Sequence, residues 1–402
     1  MTNLIDKLRI RNFKKFDTLA LENLSRVNLF VGDNNVGKTS ALEAIFSFSC
    51  GVNFSPLLSV PFFQRLQGSM LPNPMILNPY RMAEYILYTF HWEDLVPNDT
   101  YNFEFQGSIK KNDGDKVTYE DVTVKHEFVP SQIFSEFIPQ KNETWYDAPT
   151  LFNKFDMQDA NGNTVQLSLP NQYLGKWHIS TNYNQNQTEA FSVTYPNPSL
   201  NNKMQQPLIS AKFNNELSHR DESESRRIFA ALTRTGIMSD FIKEINESFD
   251  IKVDAIENIP YPDGSEATIT FRINGKKSHI PLYAFGDGLR RWYYLLGGML
   301  IFQNAVHCID EVDAGFHSKA QGALSKQILN YAQKFHNQLF MTTHNIEYMD
   351  TFLKEIHEMG DKTLEKDIRV ITLRSVGESV KCRTLTGAEA LQARKDGVDV
   401  RL

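Results

Sequence analysis

From Lys7 to Phe13 the chain reads KLRIRNF, with basic and apolar positions alternating at period two. Leu8 and Ile10 then share one face and Lys7, Arg9 and Arg11 the other, which predicts a half-buried strand. Val27 to Val31 is apolar apart from Asn28 and is bounded by Gly32-Asp33-Asn34-Asn35, the pattern of a strand covered on both faces. After Lys38 the period changes: Ala41, Leu42, Ala44, Ile45 and Phe48 recur at helical spacing, so a strand, a tight turn and a helix follow one another. Between about Tyr101 and Pro198 come alternating stretches such as TYNFEFQGSI and KVTYEDVTVKHEF, separated by the turn signals KNDGD and DANGNT; these predict a β-rich insertion. Helical spacing returns from Glu216 to Phe249, and from about Ile251 strands and helices alternate again. No repeat of the solenoid kind is present. The pattern predicts an α/β chain in three stretches, 1–98, 99–205 and 206–402.

Composition changes this picture little. With 41% hydrophobic and 22% charged residues the chain is of ordinary globular make-up. A formal charge of −6 gives no global electrostatic reason to bind DNA, although a local basic patch would still allow it. Cys50, Cys308 and Cys382 form no CxxC pair, so neither a disulfide framework nor a zinc site is predicted, and a reducing compartment fits. The N-terminus has no apolar signal-like region, and the longest apolar run, Trp292 to Phe302, is too short to span a bilayer. A cytoplasmic protein without membrane partners is the expectation.

The chemistry begins at Gly32. GDNNVGKT, Gly32 to Thr39, matches G-x-x-x-x-G-K-[ST] between a predicted strand and a predicted helix, the context the motif requires. Its glycines let backbone N–H groups turn inward toward phosphate, Lys38 can reach the β- and γ-phosphates, and the Thr39 hydroxyl can ligate Mg²⁺. Gly32, Asn34, Asn35, Gly37, Lys38, Thr39 and Ser40 are therefore the expected nucleotide-binding residues. Hydrolysis also needs carboxylates delivered to the same place. AVHCIDEVD supplies an apolar strand ending in Asp310 and Glu311, the first suited to the metal shell and the second to the attacking water. NQLFMTTHN is a second strand with a polar tip, where His344 can bond the γ-phosphate or that water, since ligands of open α/β sheets collect at such tips. His307 reads as an ordinary strand residue. Gly286-Asp287-Gly288 opens a helix carrying Arg290 and Arg291 in its first turn. A glycine-rich helix start attracts phosphate; the alternative is an ordinary turn before a core helix, with solvated arginines.

Together these residues resemble the ABC-type ATPases of the SMC, RecF and OLD group, with Gly32 to Thr39 as Walker A, Ala305 to Glu311 as Walker B, Gly286-Asp287-Gly288 as the signature loop and His344 as the switch histidine. LRIRNFKKF, FGDGLRRW, DEVDAGFHSKAQ, TTHN and GVDVRL look most like the stand-alone OLD-like ATPases of bacterial antiphage systems. The resemblance covers about residues 1–50 and 205–402 and implies a P-loop ABC-type ATPase fold with a β-rich insertion and a helical signature lobe. It also implies ATP and Mg²⁺ as cofactors, Glu311 as base with His344 and Lys38 assisting, and Thr39 and Asp310 at the metal. Gly286, Asp287 and Gly288 would meet the nucleotide of a second copy in a homodimer or higher homo-oligomer. Asp313 and Ala314 would lie in the dimer-contacting loop, and Arg11 and Asn12 near the nucleotide. The signature departs from the family's Ser-Gly-Gly, and a lid glutamine is not assigned: Gln64 and Gln67 sit in a segment that reads better as amphipathic packing. Only 58 residues follow His344, short for an additional nuclease domain, so a destructive output would belong to a separate effector protein. The rivals are a DNA-repair or chromosome-maintenance ATPase and a nucleotide-stapled scaffold with little turnover.

Overall fold

The computed structural model describes residues 4–51, 96, 98–113, 116–130, 152–158, 164–170, 175–183, 187–195, 207–260, 267–275, 279–360 and 365–401. In chain order the first elements are β1 (Ile5–Phe13), β2 (Phe16–Leu21), β3 (Val27–Val31) and α1 (Lys38–Cys50). Then come β4 (Tyr101–Asp113), β5 (Lys116–Pro130), β6 (Phe152–Gln158), β7 (Thr164–Pro170), β8 (Gly175–Tyr183), β9 (Gln187–Tyr195) and β10 (Ala211–Asn214). The helical part holds α2 (Glu222–Thr235), α3 (Met238–Phe249), β11 (Val253–Ile259), β12 (Thr268–Ile273), β13 (His279–Pro281) and α4 (Asp287–Ile301). The chain ends with β14 (Val306–Ile309), α5 (Ser318–Lys334), β15 (Gln338–Thr342), α6 (Ile346–Glu358), β16 (Ile368–Val376), β17 (Ser379–Thr386) and α7 (Gly387–Lys395).

The central sheet has the order β10-β14-β15-β3-β16-β17, parallel except for the hairpin β16–β17. Strands β14, β15 and β3 are short and wholly buried, as their apolar runs require. Alternation sorts their side chains between two cores. Phe30, Cys308, Phe340 and Ile371 face α1 and the antiparallel sheet, while Leu29, Val31, Ile309, Leu339, Met341 and Val370 face the helices α4, α5 and α6. A one-residue slip would exchange the two sets, so register is strongly fixed.

The second sheet, β2-β1-β4-β5-β8-β9, is antiparallel. The β-rich segment continues the sheet begun by the N-terminal hairpin: β4 pairs with β1 from Ile5↔Ile109 to Arg11↔Glu104, so the boundary expected near residue 98 separates hydrogen-bonded neighbours. Where the sequence shows one helical stretch after Glu216, there are two helices. Asp221 caps the first by accepting from the N–H groups of Ser223 and Glu224, and Gly236, at φ 73°, ends it in the left-handed conformation. Trp292 and Tyr293 of α4 are fully buried; each contributes roughly 2 kcal/mol or more by leaving water, which fixes the helix that opens at Asp287. Among the described residues, no helix is long and apolar enough to cross a membrane.

Two buried histidines make the fold sensitive to acid. His126 stacks on Phe103 with ring centroids 4.3 Å apart, and burial pushes its pKa down to about 3. His307, the strand residue to which the sequence gives no role, has Nε2 2.9 Å from the Phe302 carbonyl oxygen, and burial pushes it down to about 4. Because a carbonyl only accepts, the Nε2 of His307 donates. Both rings fold neutral and would titrate near 6.5 once unfolded, so the unfolded chain binds more protons below that value and stability is lost as the pH is lowered. Between pH 7.5 and pH 5 each histidine should remove about 2 kcal/mol of stability. Urea unfolding at the two pH values checks this, and His126→Phe should narrow the difference by about half.

Candidate functional site

The site lies at the carboxyl edge of β14, β15 and β3. Parallel pairing sets Ile309 beside Met341 and Met341 beside Leu29, so these strands release Asp310-Glu311, Thr343-His344 and Gly32 at nearly one level. This edge is where ligands of open α/β sheets gather.

The loop after β3 turns at Gly32 and Gly37, with φ of 135° and 108°. A Cβ on Gly32 would come within 2.3 Å of the Leu373 carbonyl oxygen, and one on Gly37 within 2.9 Å of the Phe16 ring, so neither position admits a side chain. Helix α1 starts with no side-chain cap and no acidic residue in its first turn; its free N–H groups and dipole therefore face the loop unopposed. Asn34 and Asn35 are exposed and Ser40 half-buried. Lys38 Nζ donates to the carbonyls of Gly32 and Asp33, both at 2.8 Å. Burial pushes the Lys38 ammonium below its ordinary pKa, against the opposing pull of Asp310, Glu311 and Asp33. Lys15, which the sequence reading passed over, donates to the Asn35 carbonyl from the β1–β2 turn.

Two threonines hold the acids: Thr39 ties Asp310 to this loop, and Thr342 of β15 links Asp310 to Glu311. Thr39 Oγ1 lies 3.1 and 3.0 Å from the two Asp310 carboxylate oxygens. Thr342 Oγ1 donates to Asp310 Oδ1 at 2.6 Å and accepts from the Glu311 N–H at 2.8 Å. Glu311 has φ 48°, a conformation that costs a non-glycine residue about 1–3 kcal/mol and persists only where its surroundings impose it. Arg291 Nη2 and the Ala314 N–H donate to the Glu311 carbonyl at 2.8 and 3.0 Å, supplying that constraint. His344 Nδ1 is 3.6 Å from Glu311 Oε1, with the two side chains 52% and 45% exposed, so both remain open to solvent. Sequence reasoning missed Thr342, although the polar tip of its strand was the available signal.

The residues expected to form the signature loop make a second cluster. Gly286 and Asp287 are exposed, and Gly288 lies against Gly315, whose carbonyl oxygen would be 2.8 Å from a Cβ at that position. Asp287 Oδ1 lies 3.0 Å from His219 Nε2 and 3.4 Å from Arg290 Nη1. Burial pushes the His219 imidazole down from its ordinary value, with the Asp287 contact opposing. Arg291 is buried, and its guanidinium reaches back to Glu311 and to the Asn215 carbonyl rather than into solvent. Asp313 is also buried and accepts from the Thr343 hydroxyl at 2.7 Å, with Ala314 in the turn that follows Glu311. Arg11 pairs with Glu104 at 3.5 Å, and Asn12 takes a left-handed conformation near the end of β1. Gln64 and Gln67 lie outside the described residues.

A family profile described as "AAA ATPase domain" matches residues 4–188. Another, described as "AAA domain, putative AbiEii toxin, Type IV TA system", matches residues 195–350. An "ATP/GTP phosphatase" of Helicobacter pylori (strain ATCC 700392 / 26695) is 21% identical over 394 residues, covering 96% of both chains. Together these matches support ATP hydrolysis by this chain. A DNA replication and repair protein RecF of Idiomarina loihiensis is 40% identical to the ATPase over 52 residues, 13% of this chain and 15% of the other. Among solved structures, the SMC head bound to the C-winged helix domain of ScpA superposes on 96% of the ATPase and 100% of its own chain, with a TM-score of 0.51 and 12% identity. That likeness establishes the fold.

The donor set of the ATPase fits a triphosphate with a hard divalent cation. The uncapped helix start and Lys38 offer positive charge to phosphate, and the Thr39 hydroxyl and Asp310 carboxylate offer oxygen ligands. Thr342 is buried, so Thr342→Val keeps its volume, removes the hydroxyl and leaves the Glu311 N–H without its acceptor. An unsatisfied buried donor costs about 1–3 kcal/mol. Steady-state phosphate release should fall roughly tenfold or more, with a lower melting temperature; wild-type turnover would exclude this role for Thr342.

Proposed function

We propose that the chain binds Mg²⁺-ATP in the Gly32–Thr39 loop and hydrolyses it in a site completed by the signature loop of a second copy. The observation that carries this reading is the hydrogen-bonded line from Thr39 through Asp310 and Thr342 to Glu311, with His344 beside it. In this reading the loop N–H groups and Lys38 hold the phosphates, while Thr39 and Asp310 hold the cation. A Mg²⁺ ion held by these residues would supply charge neutralisation at the phosphates. Glu311 accepts a proton from a water whose oxygen attacks the γ-phosphorus as the bond to the bridging oxygen breaks, giving ADP and phosphate. His344 orients that water or the γ-phosphate.

The composite site is supported by the exposure of Gly286, Asp287 and the neighbouring Tyr283, at a helix start with no side-chain cap. Arg291 links this helix to the Glu311 carbonyl, a physical route by which docking of a partner at one end could bear on the catalytic carboxylate. The output we propose is regulatory: nucleotide state sets the dimer, and the dimer holds or releases a separate effector in antiphage defence. The toxin–antitoxin description of the profile matching residues 195–350 supports that direction. The RecF match over 52 residues favours a second reading, a DNA-repair ATPase. Salt-sensitive DNA binding that stimulates hydrolysis would select it.

Lys38→Ala should abolish measurable ATP affinity, read by equilibrium titration with a fluorescent analogue; full binding would remove the loop from the assignment. Glu311→Gln should retain ATP and accumulate as a closed dimer in light scattering. A monomer that holds no ATP would exclude the sandwich.

A further inference from the structure

The segment after α7 returns to the nucleotide edge and is fixed there at several points. Arg394 forms two bonds to the Asp350 carboxylate of α6, at 2.7 and 3.0 Å, and donates to the Val398 carbonyl at 3.0 Å. Val400 is buried, and its carbonyl accepts from the hydroxyl of Thr372. Thr372 pairs with Val31, the residue before Gly32, so this anchor stands beside the start of the phosphate loop. The next residue, Arg401, is thereby presented at the site. Its Nη1 lies 3.5 Å from the His344 carbonyl oxygen. Its Nε and Nη2 donate to the Asp399 carboxylate at 3.1 and 2.8 Å.

Charge gives the placement its meaning. Asp33, Asp310 and Glu311 all act on Lys38, and Arg401 is the cation that opposes them there. Asp33 in turn stabilises the Arg401 charge, after Asp399. A terminal phosphate brought next to Glu311 would add negative charge to this acidic edge, and a guanidinium, always charged and able to fork onto phosphate oxygens, is the group suited to offset it. Asp399 holds the fork through Nε and Nη2, which leaves Nη1, among the described residues, with its long contact to His344.

We propose that Arg401 is a further phosphate-binding residue, supplied by the same chain, that recognises the terminal phosphate of a nucleoside triphosphate and so distinguishes triphosphate from diphosphate; Asp399 positions it. The inference rests on the nucleotide reading given above. Equilibrium titration of wild type and Arg401→Gln with fluorescent ATP and ADP analogues in Mg²⁺ tests it. Losing a charge-assisted contact should weaken ATP about tenfold or more, while ADP affinity stays within about twofold because ADP lacks the phosphate concerned. Equal losses for both nucleotides, or none for either, would overturn the inference. Wild type that binds neither nucleotide would overturn the nucleotide site and this residue's role with it, whereas wild type that binds both beside an unaffected Arg401→Gln overturns the role of Arg401 alone. Should Arg401→Gln lose its fold, Arg401→Lys carries the same comparison, since it keeps the charge and loses the fork: a selective fall in ATP affinity supports the inference and unchanged affinities overturn it.

Discussion

Thr39 and Asp310 stand 271 positions apart in sequence, yet the hydroxyl of one lies within hydrogen-bonding distance of both carboxylate oxygens of the other. That junction joins the phosphate loop to the acidic strand. It forms only if β3 and β14 flank β15 in parallel register, so that a hydroxyl from the first turn of α1 meets a carboxylate released one residue beyond β14. The two cores enforce this register, because every inner strand places one set of apolar side chains toward α1 and the other toward the α4–α6 layer.

Around this junction the local chemistry is strained and polar. Glu311 takes a left-handed backbone conformation, with its N–H given to Thr342 and its carbonyl bonded by Arg291 and Ala314. A side chain at a sharp turn held from both sides is fixed in direction while its carboxylate stays open to solvent. Lys38, partly desolvated, rests on two carbonyls of its own loop, acceptors that phosphate oxygens would replace in the proposed complex. The Arg291 contact also means that helix α4 and the Glu311 turn share one hydrogen bond.

Much of this was legible in the sequence because it depends on local pattern. The unbroken apolar runs of Val27–Val31 and Ala305–Ile309 read as buried strands, the glycines and Lys38 read as a phosphate loop, and Asp310, Glu311 and His344 sit at strand ends where chemistry collects. What escaped depends on long-range geometry. Thr342 looks like an ordinary β-branched strand residue until the register places it against Asp310. Arg290 and Arg291, adjacent in sequence, diverge in space, one to Asp287 and the other to Glu311, because successive helical residues point about 100° apart. Arg401 lies in the GVDVRL stretch, whose resemblance gave it no role, and the anchoring of Val400 at Thr372 brings it to the site. Nor did the chain pattern reveal that the β-rich stretch extends the N-terminal hairpin's sheet, since strand partners are set by pairing rather than by proximity in sequence.

The most direct measurement is of the metal at the Thr39–Asp310 junction, with Mn²⁺ in place of Mg²⁺. Electron paramagnetic resonance of the protein mixed with ATP and Mn²⁺ should show one tightly bound ion per chain in the wild type, and Asp310→Asn and Thr39→Ala should each weaken its binding about tenfold or more. Mn²⁺ held by Asp310→Asn as tightly as by the wild type would contradict the central claim that these two residues join the halves of the site around a cation.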